Sequence, residues 1–121
     1  MQSTTITRIG HATVLIQLPE VTILTDPAIF DRIGPSFFGL TIGPKRYTKA
    51  AIDINDLPPI DLVLISHAHF DHLDEESLRA ITRKQPYKVT CITALNTKKW
   101  LKDFQRQEIY ELDRDQEMDI L

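Results

Sequence analysis

The sequence predicts an α/β (α+β) fold, a mixed sheet with flanking helices, in one domain spanning residues 1–121. Three observations lead there. An alternating run at 12–18 is followed after Pro19-Glu20 by a second strand-like run at 21–25, the pattern of a hairpin. The apolar run Leu62-Val63-Leu64-Ile65 reads as a strand buried on both faces. From that strand onward, helix-like and strand-like segments alternate, the order expected of an α/β arrangement.

The elements follow in order. Residues 4–9 read as a first strand, and Gly10 allows a bend before the next. Ala12, Val14, Ile16 and Leu18 then alternate with Thr13, Leu15 and Gln17, the period of a half-buried strand. Residues 21–25 return as its hairpin partner. Asp26-Pro27 stops that strand, because proline cannot extend the ladder and restricts the residue before it. From 28 to 59 the chain reads as an irregular insert holding Pro35, Gly39, Gly43, Pro44 and the Pro58-Pro59 pair. An insert of this length is more often functional than idle.

After Ile65 comes a helix signal. Asp74 suits the N-cap, Glu75 and Glu76 suit the positive first turn, and Leu73 can staple onto Leu78. Leu78 and Ile81, three apart, supply the buried side, and Pro86 closes the segment. Residues 87–92 read as a strand. Residues 96–104 read as a second helix with Trp100, Leu101 and Phe104 inward, and 108–112 as a short final strand.

Composition bounds the function. Hydrophobic residues make up 42% and charged residues 26%, ordinary values for a globular protein. A net charge of −3, without a Lys- or Arg-rich run, argues against a nucleic-acid partner. Cys91 is the single cysteine, so neither a disulfide framework nor a cysteine-type zinc site is available. Its strand-like setting makes it a small apolar filler. The first seven residues lack a basic segment and an apolar core, and no apolar stretch approaches the ~20 residues of a spanning helix. These readings predict no transmembrane segment and a cytoplasmic location.

The most informative stretch is Ser66-His67-Ala68-His69-Phe70-Asp71-His72, which holds three of the chain's four histidines and a carboxylate. In extended backbone, side chains two apart share a side, so His67 and His69 can chelate one ion together. Asp71 and His72 are adjacent, diverge, and suit a second ion nearby. A histidine-rich exposed loop, or caps for the following helix, is the competing reading. Zinc is the default metal for imidazole and carboxylate ligands, and iron or manganese suits the same ligand types.

The segment matches the HxHxDH signature of the metallo-β-lactamase superfamily at every defined position. Ile9-Gly10-His11-Ala12-Thr13-Val14-Leu15-Ile16, Ile23-Leu24-Thr25-Asp26-Pro27, Gly43-Pro44-Lys45-Arg46 and Leu57-Pro58-Pro59-Ile60-Asp61 follow one another as in one branch of it. That branch is the N-acyl-phosphatidylethanolamine-hydrolysing phospholipase D group and its bacterial relatives. The resemblance runs from about Thr5 to about Asp113. It implies an αββα sandwich, of which this chain would be the N-terminal half, and two zinc ions held by His67 and His69, and by Asp71 and His72. The implied reaction is hydrolysis by a metal-activated water, on a phosphodiester of an N-acyl phospholipid or on a related ester. Asp71 and Asp26 are the candidate catalytic residues, with Asp26 orienting ligands or substrate. An Asx-type turn would also account for Asp26.

His11 is either a partner of such a ligand or a packed histidine at a strand end. Lys45-Arg46 would meet an anionic head group, or simply face solvent. Phe30, Phe37, Phe38 and Leu40 would line an acyl groove, or fold the insert onto the sheet. Beyond His72 the sequence holds no further histidine, whereas the resemblance implies more ligands from a second half. The alternative to a hydrolase is therefore a truncated, non-catalytic metal-binding fragment. Half a sandwich would also expose an apolar sheet face, which predicts self-association or a partner that supplies the missing half.

Overall fold

The computed structural model describes residues 2–29, 36–37, 40–41, 53–67, 74–85, 88–104 and 108–120. Strands β1 (Thr5–Gly10), β2 (Thr13–Gln17) and β3 (Thr22–Thr25) form an antiparallel meander. The short strands β4 (Ser36–Phe37) and β5 (Leu40–Thr41) pair only with each other. Strands β6 (Leu62–Ile65), β7 (Thr90–Ala94) and β8 (Glu108–Leu112) continue the main sheet in parallel from β3. The order β1-β2-β3-β6-β7-β8 makes a mixed six-stranded sheet. The fold is α+β, as the sequence predicts.

Register decides the two faces. One row runs Leu15, Leu24, Val63, Cys91 and Ile109 across five strands. This face joins Ile9 and Ile65 to Leu78 and Ile81 of the helix α1 (Glu75–Lys84) and to Leu101, forming the main apolar cluster. The opposite rows carry Ile6, Ile16 and Ile23, then Val14, Leu64, Ile92 and Tyr110. Apart from Leu62, which continues the first of these rows and is 3% exposed, these side chains are half-buried or exposed, Ile6 at 69%. In β2 the more apolar alternating set is therefore not the more buried one: Thr13 and Leu15 lie inside, with Val14 and Ile16 on the open face.

The start of the parallel strands is stitched by Asp61. Its Oδ2 accepts from Thr22 N at 2.8 Å, its N–H donates to Thr22 O, and its carbonyl accepts from Thr90 N. β7 begins at Thr90, later than the expected 87–92, with Val89 buried just before it. The expected second helix is instead a kinked 3-10 segment, Lys98–Phe104, with Leu101 at φ −104°, ψ 26°. The helical run breaks at Leu101, so the two sides of the kink do not share one inward face. Leu101 is buried and Trp100 is 59% exposed, with Lys99 Nζ 5.6 Å from its ring centre. Phe104's side chain lies outside the described set.

Asp74 caps α1 as its position in the sequence suggests. Oδ2 accepts from Ser77 N at 3.1 Å and from Ser77 Oγ at 2.6 Å. Burial pushes its carboxyl up from 3.8 to about 6, against the lowering effect of the Ser77 hydrogen bonds. The other oxygen, Oδ1, is buried without a hydrogen-bond partner among the described residues. Asp74→Ala should cost about 0.5–2 kcal/mol of stability, the range for a lost N-cap. Asp74→Asn, which keeps an acceptor for Ser77, should cost less. Urea unfolding of both variants checks the ordering; an Asp74→Ala chain as stable as wild type would mean that the cap contributes nothing.

Cys91 sits in the core row, and burial pushes its thiol up to about 12. Only the thiolate is nucleophilic, so raising the pKa above ambient pH protects the sulfur. Iodoacetamide at pH ~8 should leave the folded chain unmodified and label it only after denaturation. Labelling of the folded chain at a free-thiol rate would show that the face over Cys91 opens.

Candidate functional site

Because β3, β6, β7 and β8 are parallel, their C-terminal ends meet at one edge of the sheet. Antiparallel β2 starts at that same edge. Asp26 follows β3, Ser66 and His67 follow β6, Leu95 and Asn96 follow β7, and His11 turns between β1 and β2. His11, Asp26 and Asn96 all have left-handed backbone, with φ of 51°, 37° and 65°. Residues held there cost of order 1–3 kcal/mol each, although Asp and Asn tolerate the region best. Such positions concentrate where surrounding structure imposes the geometry.

At Asp26 the imposing groups are visible. Asp26 N donates to Leu64 O at 2.8 Å, carrying the parallel ladder one residue past β3. Asp26 O accepts from Thr13 Oγ1 at 2.8 Å, and the same hydroxyl accepts from Ala28 N at 3.0 Å. Thr25 Oγ1 makes the matching link, donating to Ala12 O and accepting from Val14 N. Two threonine hydroxyls thus replace ladder bonds where the strand turns away.

The carboxylate then reaches across to β6. Asp26 Oδ1 accepts from Ser66 N at 2.7 Å and Oδ2 accepts from Ser66 Oγ at 2.8 Å. Two short bonds to an ionised group make a geometrically specific hold. Asp26 is 7% exposed, which strengthens both. Ser66 Oγ also lies 2.8 Å from His67 Nδ1. The string Thr13–Asp26–Ser66–His67 therefore runs from a fully buried hydroxyl to a half-buried imidazole at the edge.

A second tie holds the far end of the histidine segment. Ile29 N donates to Ser77 Oγ at 2.8 Å, and that hydroxyl donates to Asp74. His67 and Asp74, which flank residues 68–73, are thus both anchored to the 26–29 stretch.

Of the sequence-predicted residues, Asp26 and His67 come together through Ser66. His69, Asp71 and His72 lie outside the described residues, as do Phe30, Phe38, Lys45 and Arg46. Phe37 and Leu40 fall in β4 and β5, their side chains outside the described set. His11 is exposed, and Arg8 Nη2 donates to its carbonyl at 3.4 Å. Among the described residues no three His, Cys, Asp or Glu side chains gather as a metal site. Ser66 and Thr13 are the residues that sequence reasoning missed. A hydroxyl directly before the first histidine was the available signal for Ser66; Thr13 had none, being one of several threonines.

The model of the beta-lactamase superfamily domain matches residues 5–118. The chain belongs to the beta-lactamase superfamily. Within it, 97 residues are 40% identical to N-acyl-phosphatidylethanolamine-hydrolyzing phospholipase D 1 of Caenorhabditis elegans, covering 80% of this chain and 26% of that protein. The chain thus spans about a quarter of that relative's length. Among solved structures, an isothiocyanate hydrolase from Delia radicum gut bacteria superposes with a TM-score of 0.67 at 22% identity, covering 93% of this chain and 43% of that one. A diiron β-hydroxylase from Streptomyces venezuelae superposes with a TM-score of 0.59 at 24% identity, over 93% and 21%. At these identities the two structures establish the fold alone.

Replacing Thr13 by valine keeps the shape and removes both hydrogen bonds that hold 26–28. Each of the two bonds removed is to a buried backbone group, and losing a buried hydrogen-bond partner costs about 1–3 kcal/mol. Thr13→Val should lower the urea midpoint clearly while Thr13→Ser stays near wild type. A Thr13→Val chain as stable as wild type would show that the turn does not need the hydroxyl.

Proposed function

We propose that this chain carries the metal-binding strand ends of a metal-dependent hydrolase, acting on a phosphodiester or related ester of a lipid-like small molecule. One observation carries the reading: the Asp26–Ser66 hydrogen bonds hold the His67 ring from its Nδ1 side at the C-terminal edge of the sheet. An imidazole held this way suits metal ligation, because ligating histidines are oriented through the ring nitrogen that does not bind. The relative's name supplies the substrate class, an N-acyl phospholipid.

In this proposal His67 and His69 hold one ion, and Asp71 and His72 a second. Zinc is the default; the diiron fold relative keeps iron in play, and manganese suits the same donors. When bound, the ions supply a water of lowered pKa and polarise the scissile group. The chain's own contribution is positional. Asp26 holds Ser66, Ser66 holds His67, and the 26–29 stretch fixes both ends of the segment that carries the other ligands. Asp71 and Asp26 remain the candidate catalytic residues.

Among the described residues, no helix is long and apolar enough to cross a membrane. A cytoplasmic location and the absence of a nucleic-acid partner belong to the same proposal. A second reading rests on the ligand count. No histidine follows His72 in these 121 residues, while catalytic zinc sites generally have three protein ligands. The chain by itself would then be a non-catalytic metal-binding fragment, its remaining ligands coming from further sequence, a second copy or a partner.

Equilibrium dialysis with zinc, followed by assay on an aryl phosphodiester, separates the two readings. The expected result is a lowered zinc stoichiometry in the His67→Ala, His69→Ala double variant, with turnover well under ~1 per second, the low end for enzymes. Faster turnover would show that the 121 residues form a complete site. Binding unaffected by the double variant would remove the metal assignment.

A further inference from the structure

We propose that Ser66 is a positioning residue that sets the tautomer of His67, keeping the imidazole hydrogen on Nδ1 and the lone pair on Nε2. The inference rests on the reading of His67 as a metal ligand, and it adds a residue and a role beyond the ligand set.

The inference follows from counting hydrogens. A serine hydroxyl has one hydrogen to donate and two lone pairs to offer. Ser66 Oγ stands 2.8 Å from Asp26 Oδ2 and 2.8 Å from His67 Nδ1. The hydroxyl donates to Oδ2, and that contact takes its one hydrogen. Only a lone pair then remains for Nδ1, and that contact is a hydrogen bond only when Nδ1 is the donor. In neutral imidazole a hydrogen on Nδ1 leaves the lone pair on Nε2.

The direction of the string is fixed at its other end. Asp26 Oδ1 is held at 2.7 Å by Ser66 N, which can only donate, so the carboxylate cannot swing away from the hydroxyl without losing both bonds. Asp26 in turn is held through its own backbone by Leu64 and Thr13. Ser66 is adjacent to His67 in sequence, and its backbone and side chain face the same carboxylate. It therefore translates the position of β3 into the proton position on a ring attached to β6.

The test reads the ring directly in the 121-residue chain stripped of metal, so it does not depend on catalysis. Long-range 1H–15N NMR on the neutral imidazole, with His67 assigned by its loss in His67→Gln, should show a protonated Nδ1 and an unprotonated Nε2. Ser66→Ala should shift the population toward hydrogen on Nε2, the form that free imidazole prefers in water, and Ser66→Thr should restore the wild-type spectrum. Zinc affinity by chelator competition should fall about 10–100-fold in Ser66→Ala, the usual effect of removing a ligand's orienting partner, and recover in Ser66→Thr. A loss of fold alone would not move the tautomer and then restore it with threonine. If Ser66→Ala does not fold, the wild-type and Ser66→Thr spectra still decide the matter. Hydrogen on Nε2 in the wild type overturns the proposal, as does an unchanged tautomer in Ser66→Ala. A wild-type ring with hydrogen on Nδ1 in a chain that binds no zinc would uphold the tautomer assignment and remove only the metal-ligand reading.

Discussion

The buried carboxylate of Asp26 joins two parallel strands where the sheet's hydrogen-bond ladder ends. Past Thr25 and Ile65 the backbones of β3 and β6 diverge, and a polar group must satisfy what the ladder leaves. The carboxylate meets that need twice on Ser66, through the backbone N–H and the hydroxyl. The left-handed backbone at Asp26 follows from this demand: the residue turns out of the strand yet aims its side chain back across it. Aspartate suits the position because it tolerates that region and carries two acceptors on a short stem.

Everything at the site edge depends on that junction. Thr13 secures the segment that leaves Asp26, Ser77 ties Ile29 to the cap of α1, and Ser66 hands the constraint to His67. The apolar cluster beneath is what makes these bonds effective. Leu24, Val63 and Ile65 are almost fully buried, so the edge is built on a rigid base; the polar string above it begins buried at Thr13 and Asp26 and reaches solvent at Ser66. Site residues on strand ends are placed more firmly than residues on free loops.

Membership in the beta-lactamase superfamily and the superpositions at 22% and 24% identity fix the fold, and one fold can host several chemistries. A shared scaffold does not choose among them. What varies lies in side chains that approach the edge from elsewhere. Ile16, Ile23, Leu64 and Ile92 stay half-buried on the open face of the sheet, and the chain spans 21–43% of the length of the relatives named above.

By itself the sequence determined the class of fold, the hairpin, the strand Leu62–Ile65 and the helix with its Asp74 cap, and it proposed a metal-ligand motif. Each is written in local signals: alternation, an apolar run, an N-cap before acidic residues, and ligand types at fixed spacing. The same signals misplaced Trp100, because no local pattern reveals the backbone break at Leu101 that leaves Leu101 buried and Trp100 exposed. They were also silent on which set of β2 side chains goes inside. Thr13 is buried because its hydroxyl replaces ladder bonds for residues 26–28, a partner thirteen positions away that no local pattern reveals. Ser66 belongs to the same class. Tertiary structure decided its role, since only the parallel pairing of β3 with β6 brings Asp26, forty residues earlier, within reach of its hydroxyl.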